Sequence, residues 1–387
     1  MKKIYFDNAA TTPVDKRVLK EMLPYFSDDF GNASSIHSFG QKAGAAILKA
    51  KDIIAQFLDS QPEEIIFTSG ATESNNTVLK GLFSDYKGHL IISAIEHPCV
   101  LETAKFLESK GVEVNFIKPE KNGIIDYRKV LKAIKKNTRL ISIMYANNEI
   151  GTIQPIGKIG KKLKEINQHR KNKILFHSDA VQAAYFLPMS IKRLRVDFLS
   201  LSGHKIYGPK GVGVLYVKKE IKITPLMHGG HQENSLRAGT YNVPGIIGLG
   251  KAVSLLSGLA HQKSIDKIKK LRDSLIQEVL KIKGASLNGD LDTRLPNNAN
   301  FLFKNVEGES LLLRLDMAGI ACSTGSACAS GSLKPSYVLL SMGVKQEDAH
   351  GSLRVSIGRD NTQQDVDRFV RVLKKEIKKL RKFSPFK

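Results

Sequence analysis

The sequence predicts an α/β protein: a mainly parallel central sheet covered by helices, followed by a smaller α+β domain. Three observations carry this. Short apolar runs recur over roughly the first 220 residues, helix-length segments separate many of them, and past about residue 250 the rhythm shifts to long amphipathic stretches. Apolar runs with little alternation suit strands buried on both faces. Strand–helix–strand repetition is how parallel strands are joined.

The strand segments are EIIFTS (64–69), HLIISA (89–94), VEVNFI (112–117), RLISIMY (139–145), ILFHSD (174–179), VDFLSL (196–201) and VGVLYV (212–217). Segments 41–58 and 153–171 have helix length. Further on, Ile265, Ile268, Leu271, Leu275, Val279 and Ile282 recur at helical spacing, with Gly284 as the expected C-cap. ANFLFKNV and VSI read as short strands. A last helix starts near 363, where Thr362 and Asp365 make a capping box with Asp in place of Glu or Gln. Val366, Phe369, Val370, Leu373, Ile377 and Leu380 share one face of it. The expected division is an N-terminal arm over 1–15 joining the small domain, a large domain over 16–255, and a small domain over 256–387 with a cysteine loop at about 321–335.

Composition narrows the function classes. The chain has 387 residues, 42% hydrophobic and 25% charged, the range of a soluble globular protein. No run of about 18 apolar residues predicts a membrane span. The start, MKKIYFDNAATTPV, has no apolar run behind its lysines and is not a secretory signal. The net charge of +23 is spread over segments such as 129–139 and 374–382. It reads as a lysine-rich solvated surface with a weak, salt-sensitive attraction for acidic partners. No zinc-finger spacing or aromatic–basic RNA motif is present, so stable nucleic-acid binding is not expected. Three cysteines, Cys99, Cys322 and Cys328, without a CxxC pair argue against a disulfide framework or a Cys-only zinc site. A reducing cytoplasm is the expected setting.

Chemistry concentrates at strand ends. In TSGATESNN (68–76) Gly70 permits a tight turn, and a helix beginning near Ala71 or Thr72 offers free N–H groups to a phosphate. Taken alone, such a stretch is as often a turn and an N-cap as a phosphate site. Asp179 ends an apolar strand, the edge at which open α/β sheets bind ligands. It can cap the next helix or hold a proton on a ring nitrogen, and Gln182 follows three residues later. Lys205 sits in SGHKIYGPKGVG between two buried strands, with Ser202 and His204 beside it. A lysine desolvated near other cations has a lowered pKa and forms Schiff bases. Pyridoxal phosphate needs such a lysine, an acid at its pyridinium nitrogen and a phosphate cup. Lys205, Asp179 and the GATES turn supply all three.

With these residues in view the chain resembles the cysteine desulfurases, IscS/NifS-type enzymes of the pyridoxal-phosphate-dependent aminotransferase class V family. YFDNAATTP (5–13), TSGATESNN, EHPCV (96–100), NNEIGTIQPI (147–156), HSDAVQ, SGHKIYGPKGVG, RAGT (237–240) and GSACASGSLKPSYVL (325–339) carry the resemblance from residue 5 to about 360. It implies the type I fold of pyridoxal-phosphate enzymes. It implies that Lys205 is the Schiff-base lysine, that Asp179 pairs with the ring nitrogen, and that His97 stacks on the ring and moves protons. Asn148 and Gln182 would hydrogen-bond the phenolic oxygen; Ala71, Thr72, Ser202 and His204 would hold the phosphate. Thr240 would reach the phosphate of the other subunit of a homodimer. Arg354 would grip the substrate carboxylate, a task suited to its bidentate fork.

In the family the residue matching Cys328 attacks the sulfur of L-cysteine, leaving an enzyme persulfide and alanine. Here Cys328 lies among glycine, alanine and serine, where a thiol has little to pack against, and Gly325 and Gly331 would ease travel of the loop. The resemblance implies transfer to a persulfide-accepting protein, an iron–sulfur scaffold or a tRNA-thiolation enzyme. It implies no resident metal, with Cys328 at most a transient iron–sulfur ligand. Two departures stand out: His231 breaks the glycines after HGG, and Ala238 replaces a frequent serine. Cys322 is an extra thiol, read as buried behind Ile320 and Ala321. The rival readings are a selenocysteine lyase or another class V aminotransferase, and, from a different class, a non-catalytic sulfur-carrier or RNA-binding platform. An aminotransferase has no need of Cys328 in a glycine-rich loop, and a decayed platform has no need of Lys205 and Asp179.

Overall fold

A computed structural model describes residues 3–324 and 335–383. Its strands are Ile4–Tyr5 (β1), Ile65–Thr68 (β2), His89–Ser93 (β3), Glu113–Ile117 (β4), Thr138–Ser142 (β5), Leu175–Asp179 (β6), Phe198–Ser202 (β7), Gly213–Val217 (β8), Ala285–Asn288 (β9), Asn298–Phe303 (β10), Ile320–Ala321 (β11) and Ser352–Ser356 (β12). The seven runs read as strands therefore form β2 to β8.

These seven strands make one sheet in the order β2-β8-β7-β6-β5-β3-β4. β3 to β7 pair in parallel. β8 alone runs against its neighbours β7 and β2. Every residue of β3, β7 and β8 is buried, as their unbroken apolar runs require. Helices cover the sheet through narrow apolar stripes. In the helix Ser38–Leu58 the stripe is Ala43, Ile47, Ala50, Ile54 and Leu58, and the helix ends at Asp59 with φ 57°.

Two smaller sheets lie outside this one. β9, β10 and β12 form an antiparallel sheet with β10 at its centre. β1 pairs in parallel with β11, joining the start of the chain to a segment more than 300 residues later. The helices Gly258–Leu280 and Gln363–Phe383 pack against one another beside these strands. The capping box is present: the Thr362 N–H donates to Asp365 Oδ2 at 2.9 Å, and the Asp365 N–H to Thr362 Oγ1 at 3.3 Å. Gly284 is not the C-cap of the earlier helix. That cap is Lys281, and Gly284, with φ 74°, turns the chain into β9. Among the described residues no single helix is long and apolar enough to cross a membrane.

Candidate active site

Because β8 opposes both of its neighbours, β2 runs in the same direction as β3 to β7. The carboxyl ends of six strands thus share one edge of the sheet, and they open on a cavity of about 1100 Å³. Of the twelve residues predicted to form a site, ten line it. Thr240 is exposed and lies outside the lining. Cys328 falls outside the described residues.

The turn after β2 is set by Gly70. Its φ of 153° and ψ of 175° belong to a region essentially reserved for glycine. β8 passes close by: a Cβ on Gly213 would sit 2.6 Å from the Gly70 Cα. The helix Ala71–Leu82 starts here and aims its first N–H groups at the cavity mouth, where they have no acceptor within the helix. Ser202 at the end of β7 and His204 just beyond it line the same end. Burial, with Lys205 and Lys210 adding, pushes the His204 imidazole down to about 4, so it is neutral at pH 7.

Lys205 reaches back to the N-terminal arm. Its Nζ donates to the carbonyls of Ala9 at 2.7 Å and Ala10 at 2.5 Å. Gln182 Nε2 donates to the same Ala9 oxygen at 3.0 Å. Asp179, the last residue of β6, is buried with both oxygens held: Oδ2 accepts from Asn75 Nδ2 at 2.7 Å and Oδ1 from the Val181 N–H at 3.0 Å. His97 caps the helix Pro98–Ser109, and its Nδ1 accepts the Cys99 N–H at 3.2 Å. A neutral ring with Nδ1 as acceptor carries its proton on Nε2. Burial lowers the His97 pKa, with Asp179 opposing and Lys205 adding to the effect. The Cys99 thiol, 3.0 Å from His97 Nδ1, is pushed up to about 12 by burial and by the charge of Asp179. It therefore stays protonated at neutral pH.

Arg354 stands in β12, 2% exposed. Its NH2 group pairs with Asp7 Oδ1 at 2.8 Å, and NH1 donates to the Asn148 carbonyl at 2.9 Å. Two buried polar atoms on this lining have no partner among the described residues: Arg354 Nε and Asn148 Oδ1. Glu149 is also in the lining, pushed up to about 7 by burial against the opposing pull of Arg354.

Pyridoxal phosphate fits these residues. The open first turn of the helix after Gly70 suits its phosphate, and the fixed Asp179 carboxylate suits its ring nitrogen. The Lys205 amine, at the head of the same cavity, suits its carbonyl. The unpartnered Arg354 and Asn148 atoms leave hydrogen-bonding capacity for the substrate and the ring substituents.

Several neighbours escape sequence reasoning. Asp7 and Asn75 lie in motifs that drew attention for other members. The helical spacing of Asn75, four residues after Ala71, was the available signal. The departures sit on one segment. His231 is exposed and Ala238 buried, and Glu233, Asn234 and Ser235 between them all have positive φ, near 47° to 62°. The turn is pinned by the buried Glu233, which pairs with Lys51 at 2.9 Å and accepts the Phe67 N–H at 3.1 Å. Cys322 is buried behind β11, and burial raises its pKa strongly.

A family model described as aminotransferase class-V matches residues 4–369. A curated relative, cysteine desulfurase IscS of Methanosarcina thermophila, is 50% identical over 99% of this chain and 94% of its own length. The protein of the same name from Dictyoglomus turgidum is 49% identical over 100% and 97%. A solved NifS-like protein matches with TM-score 0.90 and 38% identity, covering 97% of this chain and 100% of its own. Another, SspA in complex with cysteine, matches with TM-score 0.81 and 40% identity over 93% and 100%.

Proposed function

The chain belongs to the aminotransferase class-V family, and from that premise we propose how its residues divide the work of a cysteine desulfurase. The protein is a pyridoxal-phosphate-dependent enzyme that takes sulfur from L-cysteine and leaves L-alanine. The observation that carries the assignment of roles is the meeting of Lys205, Asp179 and Arg354 on one cavity.

Lys205, Asp179, Asn148 and Gln182 would hold the cofactor by its carbonyl, ring nitrogen and phenolic oxygen, and Ala71, Thr72, Ser202 and His204 by its phosphate. Bound there, it supplies a carbonyl for the substrate amine and a ring that withdraws electrons from the substrate carbons. Arg354 binds the substrate carboxylate, and its ties to Asp7 and Asn148 fix the fork in place. His97 holds a proton at Nε2 for return to substrate. The Cys328 thiolate attacks the sulfur of the bound cysteine. An S–S bond forms, the C–S bond breaks, and its electron pair passes to the substrate carbon, which is then protonated to give alanine. The persulfide sulfur leaves to an acceptor protein of iron–sulfur assembly or tRNA thiolation.

The working unit is a homodimer in a reducing cytoplasm. Thr240 is exposed and lies outside the lining of its own cavity, which suits a residue offered to a neighbour. Phe26, Phe30, Ile36 and Phe39 are exposed, Ile36 at 92% and Phe30 at 65%, and the Phe30 and Phe39 rings lie side by side. Leu226 and Met227 are also exposed, in the segment that leads to Thr240. A second copy of the chain is the natural cover for them. Cys99 and Cys322 are free thiols, in keeping with a reducing compartment.

The test is product analysis. Purified protein given L-cysteine and a thiol reductant should release alanine and sulfide in equal amounts. Transamination products without sulfide would overturn the reading, and turnover confined to selenocysteine would favour the lyase.

A further inference from the structure

The turn that carries Lys205 is held from two parts of the chain far apart in sequence. Thr12 of the N-terminal arm brackets the lysine: its Oγ1 accepts the Tyr207 N–H at 2.9 Å, and its N–H donates to the His204 carbonyl at 2.9 Å. The Tyr207 carbonyl accepts the Asp15 N–H at 2.9 Å. Tyr207 itself stands at φ 61°, in the left-handed region that a bulky residue enters at a cost and keeps only where its surroundings over-determine it. Its ring is 4% exposed and packs against Tyr185, centroids 5.3 Å apart. The Arg359 guanidinium lies over the same ring, 3.9 Å from its centroid, and the Arg359 N–H donates to Tyr207 Oη at 2.9 Å. Arg359 NH1 also pairs with the buried Asp15 carboxylate at 2.7 Å. Arg359 lies just beyond β12, the strand that holds Arg354. One tyrosine thus joins the turn of the Lys205 amine to the segment leaving the strand of the Arg354 fork. Neither Tyr207 nor Arg359 is among the described residues that line the cavity, so their effect on a ligand passes through Lys205 and Arg354.

We propose that Tyr207 is a positioning residue that sets the distance between the Lys205 turn and the Arg354 fork. Its backbone fixes the lysine turn, and its phenol and ring fix the chain beyond β12. The Lys205 amine marks where the cofactor carbonyl would receive a substrate amine, and Arg354 marks where the carboxylate goes. A fixed distance between the two favours an amino acid whose carboxylate sits on the amine-bearing carbon over one in which a further carbon separates them. With the Tyr207–Arg359 contact cut, each end still binds its own group, but the two ends no longer hold one ligand at the best spacing. The proposal rests on the roles given above to Lys205 and Arg354.

The experiment uses the holoenzyme with Tyr207→Phe and Arg359→Ala, and Arg354→Lys as a reference. L-Alanine, β-alanine and ethylamine are titrated, each read by the shift of the visible cofactor band. Hydrogen exchange in peptides covering 203–208 and 357–361 is followed with and without cofactor. Tyr207→Phe keeps the ring and removes the acceptor of the Arg359 N–H. L-Alanine should then bind about fivefold more weakly, the size of one neutral hydrogen bond. Arg359→Ala removes the ring contact and the Asp15 pair, and should weaken L-alanine at least as much. Ethylamine, which has no carboxylate, and β-alanine, whose carboxylate is one carbon further out, should both stay within about twofold. The preference for L-alanine over β-alanine therefore falls about twofold or more in each variant, and exchange in both peptides speeds up. If Arg359→Ala does not fold, Tyr207→Phe decides alone. Equal losses for the three ligands, which a general loosening of the fold would give, or an unchanged preference would overturn the proposal. Wild-type L-alanine affinity in Arg354→Lys would instead overturn the carboxylate assignment beneath it.

Discussion

Replacing Arg354 by lysine tests the carboxylate site most sharply. The guanidinium has five donors; two already serve Asp7 and the Asn148 carbonyl, and Nε is buried without a partner among the described residues. Lysine keeps the charge but not the fork, so it cannot hold Asp7, Asn148 and a substrate carboxylate at once. One charge-assisted hydrogen bond to substrate should be lost, worth about 1.5–3 kcal/mol. That corresponds to a fall of roughly 10- to 150-fold in kcat/KM for L-cysteine. The assay pairs L-cysteine with cysteamine, which has the amine and the sulfur but no carboxylate. Arg354→Lys should leave cysteamine turnover within about threefold of its already low value, so the ratio between the two substrates collapses. Visible absorbance should remain, since no cofactor contact is touched. An equal loss on both substrates, or a loss on cysteine under about threefold, would refute the reasoning.

Other outcomes follow from the same geometry. Borohydride should fix the cofactor to a peptide containing Lys205, and label on another lysine would sink its role. Cys328→Ser should keep cofactor and cysteine binding but lose at least about 100-fold in alanine formation, whereas Cys322→Ser should keep most activity; sulfur found on Cys322 by mass spectrometry would reverse the assignment. Phe30→Glu with Phe39→Glu, whose rings lie 5.8 Å apart, should give a monomer with impaired activity in sedimentation, and an intact active dimer would remove that face from the interface. Glu96 is pushed up to about 8 by burial, from an ordinary value of 4.5. The folded chain then keeps a proton that the unfolded chain releases, so this group's contribution to stability falls as pH rises from about 4.5 to 8. Glu96→Gln should flatten the decline of Tm across that window, and parallel Tm profiles would contradict it.

The strands of the large sheet were legible because each is a short, unbroken apolar run, and burial on both faces leaves no other pattern. β1 and β11 were not: two residues each, they carry no periodicity, and their partners are set by tertiary contact. The direction of β8 was hidden for a related reason. VGVLYV looks the same run either way, and only the short GPKG connection after Lys205 hinted at a hairpin return. Of the site, the turn at Gly70, Asp179 and Lys205 were readable from chemistry at strand ends, whereas His97, Asn148, Thr240 and Arg354 came into view only through the family resemblance. Side chains that act on other residues were not readable. Asp7 and Asn75 have ordinary roles as caps or turn formers in sequence, and acquire another only when Arg354 and Asp179 come near.

The pairing of β1 with β11 also sets a schedule. A chain emerging from the ribosome can complete all seven strands of the large sheet by residue 217, yet the strand Ile4–Tyr5 has no strand partner until Ile320 and Ala321 exist. Contacts of such sequence separation are late to form. Asp7 waits for Arg354, and the Ala9 and Ala10 carbonyls that receive Lys205 are secured only once the arm is docked. A chain that has reached β8 therefore holds Lys205 and Asp179 but has neither Arg354 nor the strand partner of β1.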